Sequence, residues 1–359
     1  MVLSLDELDF GPPDYKEFLP PVSKKNYGKW KYHEHIKGGV IKHVAESGDE
    51  AYTVRAAIPK YVAAETVNKL CDIAEKYCEG YIKFTSRHNV SFIVPKAKDV
   101  DSVIKDIEAM GFPVGGTDHS LKAIIQCVGW THCHTPATDS PSITKALYEE
   151  FYEEFKDNNA FPERIKMAVS GCINMCGATH ASDIAIIGMH RKVPTVIDEI
   201  VEKFCSVPNL IKSCPKYAIK PKRGNLKSIV IDEEKCMYCG ICYSLCEGCP
   251  IHKPEYDGVS IWVGGKVSNT RNGPLLARLI IPFMPNEPPH WENVVKIVRK
   301  IVDIYKANAE EDERIGEWIE RIGWEKFFQM TDIPFSDKSI DDWIFSVETY
   351  RKGTNFKMV

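Results

Sequence analysis

Closely spaced thiols are the chemistry-bearing feature of this chain. The stretch Gln126-Cys127-Val128-Gly129-Trp130-Thr131-His132-Cys133 holds one cysteine pair, with five residues between its members. Ser170-Gly171-Cys172-Ile173-Asn174-Met175-Cys176 holds a second pair, with three between. Each follows a segment of strand character and lies among small, turn-forming residues. Thiolates are soft ligands that suit iron–sulfur clusters, and four complete a cubane. Isolated cysteines are often no more than small core residues. Two tight pairs in turns read instead as one ligand set, Cys127, Cys133, Cys172 and Cys176.

A second group, Cys236-Met237-Tyr238-Cys239-Gly240-Ile241-Cys242-Tyr243-Ser244-Leu245-Cys246, repeats the C-x₂-C-x₂-C-x₃-C run of bacterial ferredoxins. In such runs three cysteines share a cluster with a distant cysteine that precedes proline. Cys214-Pro215 fits that part. A second cluster would need three more cysteines in step before Cys214, where Phe204, Val207 and Leu210 stand and Cys205 is out of register. The run therefore predicts one [4Fe–4S] cluster on Cys214, Cys236, Cys239 and Cys242. A four-thiolate zinc site does not call for an evenly spaced triplet with a remote Cys-Pro. Cys246 and Cys249 are left over as non-ligands.

The elements around these groups predict an α+β chain. Its 359 residues allow two or three domains, with ordinary hydrophobic (44%) and charged (27%) content. A net charge of −4 gives no electrostatic case for nucleic acid. No apolar run approaches a membrane span, and the acidic start Met1-Val2-Leu3-Ser4-Leu5-Asp6-Glu7 is unlike a signal peptide. A cytoplasmic protein is expected, its thirteen cysteines not a disulfide framework and the tightly grouped ones arguing for metal.

Residues 1–50, rich in Pro, Gly and aromatics with no sustained period, read as an N-terminal arm, with His33 and His35 on its surface. Residues 51–120 read as a ferredoxin-like half-domain: a strand at Ala51–Ile58, a helix at Ala64–Cys78 with Cys71 and Cys78 on its apolar face, and a hairpin around Ser86-Arg87-His88-Asn89. A second helix ends at Gly111, and Ala123–Val128 is expected to supply the unit's last strand. Residues 121–207 form the first part of a cluster-binding domain, with Ser140 as N-cap of a helix over 142–157 and a strand over Arg164–Ser170. Residues 208–257, dense in Cys, Gly and Pro, read as an inserted ferredoxin domain. Residues 258–359 return to regular structure, with a strand at Val259–Val263 and helices near 291–308 and 312–329.

With these motifs in place, the chain resembles the sirohaem-containing sulfite and nitrite reductases. The C-x₅-C and C-x₃-C pairs and the Thr85-Ser86-Arg87-His88-Asn89-Val90 turn carry the likeness. The inserted ferredoxin run, Gly129-Trp130-Thr131-His132-Cys133-His134-Thr135-Pro136 and Asn286-Glu287-Pro288-Pro289 narrow it to the dissimilatory β-subunit branch, over nearly the whole chain. One departure stands out. Those β subunits carry adjacent cysteines at the second pair and lack the first cysteine of the first, whereas Gly171 and Cys127 stand here.

The resemblance implies a sirohaem whose iron shares the Cys176 thiolate with the adjacent [4Fe–4S] cluster, hence two clusters per chain. It implies six-electron reduction of sulfite in an anion pocket. Arg87 fits that pocket; Arg164 and Lys166, on one face of a strand, need an anionic partner that sulfite, a sirohaem carboxylate or an ordinary salt bridge would supply. Lys122 is a lesser candidate, and His132 and His134 flank Cys133 as cofactor contacts or packing. Because each half-domain occurs once, a homologous α subunit is implied in an α₂β₂ complex, with a small cysteine-bearing sulfur-carrier protein as a further partner. The same architecture running in reverse, as sulfur oxidation, or serving as an electron-transfer scaffold with Trp130 blocking the haem pocket, are the alternatives.

Overall fold

A computed structural model describes residues 14–268 and 271–340, so residues 1–13 of the expected arm lie outside it. The chain divides into two compact units, Met1–Ser120 with Phe155–Asn158, and Leu121–Glu154 with Asn159–Val359.

The first unit opens with the short helix α1 (Pro21–Lys25) and the antiparallel strands β1 (Trp30–Lys37) and β2 (Val40–Ala45). These strands correct the reading of residues 1–50 as an arm. β1 lies at the sheet edge with its side chains almost all exposed, so it carries no apolar alternation to read. β3 (Glu50–Ala57), α2 (Ala64–Tyr77), β4 (Ile82–Phe84), β5 (Asn89–Val94) and α3 (Val100–Glu108) follow in the expected order. The antiparallel sheet runs β1-β2-β3-β5-β4. Leu70 and Ala74 of α2 and Val103 and Ile107 of α3, spaced for one helix face, join Val54, Val90 and Phe92 in a common core. Burying each Leu, Val, Ile or Phe of this core contributes roughly 1.5–3 kcal/mol. Cys78 is fully buried there, and Cys71 half-buried.

The expected last strand of this unit is a second correction. A lone bridge from Val114 to Ala56 occupies that place, and the strand near Ala123 belongs to the second unit. Its near-continuous apolar run is the mark of a parallel strand buried on both faces.

In the second unit β6 (Leu121–Gln126) leads to α4 (Ser140–Glu150) and α5 (Tyr152–Lys156), then to β7 (Ile165–Ser170), β8 (Ile184–Met189) and α6 (Asp198–Phe204). The island of short elements comprises α7 (Val207–Ser213), the hairpin β9 (Ile219–Lys222) and β10 (Asn225–Ile231), and α8 (Ile241–Leu245). β11 (Gly258–Val263), β12 (Arg278–Pro285), α9 (Glu292–Asn308), α10 (Ile315–Ile322) and α11 (Trp324–Thr331) complete it. The sheet order is β12-β11-β8-β7-β6, with β6, β7 and β8 parallel and β11 and β12 antiparallel.

Asp139, not Ser140, caps α4, because the Ser140 hydroxyl is turned to Cys127 instead. The helix expected over 312–329 is interrupted at Gly323, whose φ of +84° only glycine adopts freely. Arg314 donates two hydrogen bonds to the buried Asp183 carboxylate, at 2.8 and 2.5 Å, tying α10 to the start of β8. No helix of the described residues is long and apolar enough to cross a membrane.

Candidate metal centres

Parallel pairing explains why cysteines far apart in sequence converge. Gln126 of β6 pairs with Val169 of β7, so both strands end at the same edge and release Cys127 and Cys172 together. Carboxyl ends of parallel strands are the usual place for a ligand site. The Cys127 sulfur accepts the Gly171 N–H at 3.1 Å and lies 3.2 Å from Ser140 Oγ. A Cβ at position 171 would stand 2.6 Å from Pro136 Cβ, so that close passage needs glycine.

A 3₁₀ turn over Gly129–Thr131 brings Cys133 back to the same edge. Thr135 Oγ1 lies 3.4 Å from the Cys133 sulfur and 3.8 Å from that of Cys172. Burial, with the Cys127 and Cys133 thiols close by, pushes the Cys172 thiol up. Beyond it, Met175 and Ala178 adopt left-handed backbone (φ +53° and +54°), and Ser170 Oγ accepts the Gly177 N–H at 2.8 Å. Cys176 is exposed on this tight turn. Three sulfurs thus gather inward while the fourth faces out, an arrangement that fits a cubane with one thiolate open to a second group.

In the island, Cys214, Cys236, Cys239 and Cys242 line a single cavity that contains no carboxylate or imidazole. Backbone N–H groups of Ala218 and Tyr238 point at the Cys214 and Cys236 sulfurs, at 3.3 and 3.5 Å. Burial pushes Cys236 up to about 12 and raises Cys239 as well. Loading metal on such thiols must release protons. A four-sulfur, hydrogen-bonded, partly desolvated cradle is what an iron–sulfur cluster requires. The Cys249 thiol is hydrogen-bonded to Cys242, which raises Cys242 and lowers Cys249. Cys205 and Cys246, both left outside the expected ligand set, are joined in a disulfide, a pairing that the sequence reading did not include. It links the end of α6 to the end of α8.

The remaining expected residues are spread more widely. Arg87 lies half-buried in the β4–β5 turn of the first unit, where Thr85 Oγ1 accepts its backbone N–H at 3.3 Å. Arg164 pairs with Glu163 at 2.9 Å, and the Lys166 N–H bonds to Asp183. Both precede or begin β7, at the end remote from Cys172. His134 bonds Ser244 Oγ at 2.6 Å, so its ring lies on the island, and His132 is exposed. Trp130 is half-exposed, its indole N–H bonded to the Pro136 carbonyl.

Sequence reasoning missed Thr135, Ser140, Gly240, His190 and Asp257. His190 follows β8 at the same sheet edge; it bonds Asp257 Oδ1 through Nδ1 and the Thr135 carbonyl through Nε2, both at 2.8 Å. Nearness to Cys133 could have signalled Thr135, and a place inside the cysteine run could have signalled Gly240.

Residues 43–110 match the family described as the nitrite/sulfite reductase ferredoxin-like half domain, and residues 117–339 the nitrite and sulphite reductase 4Fe-4S domain. The chain is 47% identical to the dissimilatory-type sulfite reductase subunit beta of Archaeoglobus fulgidus, over 99% of its own length and 100% of the relative's. It is 42% identical to that of Nitratidesulfovibrio vulgaris, over 97% and 95%. More distant relatives include dissimilatory-type alpha subunits. The crystal structure of dissimilatory sulfite reductase I covers 94% of this chain, and 91% of that chain is covered in turn, with a TM-score of 0.80 at 20% identity, a likeness of fold. The chain belongs to the nitrite and sulphite reductase family, among its dissimilatory-type β subunits.

Proposed function

We propose that this chain is the β subunit of a dissimilatory sulfite reductase. In this reading it reduces sulfite by six electrons, to sulfide or to sulfur held on a carrier protein, and takes its electrons in through the island. The observation that carries this is the gathering of Cys127, Cys133 and Cys172 at one strand edge, with Cys176 facing outward beside them. When bound, sirohaem offers an iron able to take sulfite through sulfur, and the [4Fe–4S] clusters supply single electrons.

The chain's own residues then have distinct tasks. Cys127, Cys133, Cys172 and Cys176 would hold one cluster, Cys176 offering its thiolate to sirohaem as well, and Cys214, Cys236, Cys239 and Cys242 would hold the other. Gly171 N–H, Ser140 and Thr135 place hydrogen-bonding groups on the first set of sulfurs, which tunes such a centre's potential. His132, exposed beside Cys133, would meet the cofactor rim, and His134 is held by Ser244.

The cations serve another place. Lys166 and Cys172 are separated by a strand that spans roughly 20 Å at about 3.3 Å per residue. Arg164 and Lys166 therefore face a site other than the one their own cysteines build. They would bind anion, sulfite or haem carboxylate, opposite thiolates supplied by a homologous α subunit in an α₂β₂ assembly, and the Arg87 guanidinium of the first unit is a separate anion-binding candidate. A small cysteine-bearing sulfur carrier is the expected acceptor of product, and a cytoplasmic setting keeps the thiols available to iron.

Replacing Cys176 by Ser in the intact α/β complex tests the assignment. The chlorin-type absorption tied to this chain should be lost while the island's cluster signal stays. Unchanged absorption would show that Cys176 is not the haem thiolate.

A further inference from the structure

We propose that Thr135 is the junction between the two sulfur sets, and that the buried His190–Asp257 pair is the positioning device that fixes it there. The proposal rests on the reading of both sets as cluster cradles.

Thr135 touches both sides at once. Its hydroxyl lies 3.4 Å from the Cys133 sulfur and 3.8 Å from the Cys172 sulfur. Its methyl, Cγ2, stands only 2.6 Å from where a Cβ on Gly240 would be. Gly240 is the residue between Cys239 and Cys242's turn of helix, and its φ is +74°. Glycine is thus required there twice over, for the left-handed backbone and for the room that Thr135 fills. At this point the Thr135 side chain itself reaches from the Cys133 and Cys172 sulfurs to the Gly240 backbone.

The loop that presents Thr135 has its carbonyls held from the far side. His190 Nε2 bonds the Thr135 carbonyl at 2.8 Å, and Asp257 orients the ring through Nδ1 at 2.8 Å. His252 Nε2 bonds the His134 carbonyl at 2.7 Å, and its ring packs edge-on to that of His190, centroids 5.8 Å apart. His190 and Asp257 are 3% and 5% exposed. Asp257 Oδ2 also accepts the Lys253 N–H at 3.0 Å, so the buried imidazole–carboxylate pair, each polar group of it desolvated and paired, ties the Thr135 carbonyl to the turn at Lys253. It is well suited to fixing a distance. The event served is transfer of one electron: the island cluster is oxidised by one, the strand-edge cluster reduced by one, and no proton or bond changes hands.

The test uses the complete α/β complex, oxidised, mixed with dithionite and freeze-quenched for EPR. Iron per chain and both midpoint potentials are measured alongside. Thr135→Ser keeps the hydroxyl but opens the contact at Gly240; Thr135→Val keeps that contact and removes the hydroxyl; His190→Gln frees the carbonyl. In Thr135→Ser and His190→Gln, iron and potentials should match the parent. Reduction of the strand-edge cluster should lag behind that of the island cluster by several-fold more than in the parent. Thr135→Val should shift the strand-edge potential, and its rate, corrected for that change in driving force, should stay near the parent's. Loaded variants that transfer at the parent rate would overturn the junction while leaving the clusters assigned. If His190→Gln loses iron, Thr135→Ser alone decides. A parent complex in which this chain holds only one reducible cluster would instead overturn the reading on which the proposal stands.

Discussion

The Gly171 amide donates to the Cys127 sulfur across 3.1 Å, so the thiol at the end of β6 reaches the position beside Cys172 on β7. In the β subunits this chain resembles, a cysteine at that second position would fill the same space from β7 itself. Here the neighbouring parallel strand supplies the sulfur, and glycine makes way for it. In the proposed ligand set the fourth sulfur comes by this different route.

Cys127 should therefore behave as a true ligand. Cys127→Ala should remove the strand-edge cluster and leave the island cluster intact, read as iron per chain and by EPR. Adding Gly171→Cys should restore it poorly, because a Cβ there meets Pro136 at 2.6 Å. Full loading in Cys127→Ala alone would show that the cluster does not need this sulfur.

The island should be separable from the strand edge. Cys214→Ser breaks the four-sulfur cavity while leaving Cys127, Cys133, Cys172 and Cys176 untouched. One cubane signal should vanish and the haem-type absorption persist. Loss of both would mean that the two centres assemble as one.

Arg314 and Asp183 form a buried pair, 2% and 0% exposed. Arg314→Met leaves the carboxylate buried and unpaired, at a cost of about 3–5 kcal/mol. Urea unfolding should show it, and Asp183→Asn in the same chain should recover part of the loss.

His180 packs edge-on to Trp262, ring centroids 5.1 Å apart, and burial lowers its pKa to about 4. Above pH ~6.5 the ring is neutral folded or unfolded, so it adds no pH dependence. Between 6.5 and 4 only the unfolded chain takes up the proton, so stability falls with pH, by up to about 1.4 kcal/mol per unit. His180→Gln should flatten that acid limb in denaturant titrations; an unchanged slope would place the acid sensitivity elsewhere.

Much of the site was legible because chemistry constrains it locally. Cubane ligation demands sulfur at short spacing, and the Cys236–Cys242 triplet with Cys214-Pro215 can be read without any fold. Strands and helices with one buried face, such as α2 and α3, announced themselves by period. What failed to show was what depends on partners. β1 carries no alternation because its faces are exposed, and β6 looks like the last strand of one sheet until pairing with β7 claims it for another. Thr135, His190 and Asp257 stand singly in sequence, and only the meeting of β6, β8 and the island gives them a shared purpose. Arg164 and Lys166 look like neighbours of Cys172 in sequence, yet a whole strand separates them from it.

The account turns on whether the two sulfur sets carry clusters, one of them joined to sirohaem. Optical and EPR spectra of the purified α/β complex, reduced, with and without sulfite, address this most directly. The prediction is a chlorin-type absorption that shifts when sulfite is added, together with two cubane signals assignable to this chain. Cubane signals without any chlorin-type absorption would contradict it, leaving an iron–sulfur electron carrier built on a reductase fold.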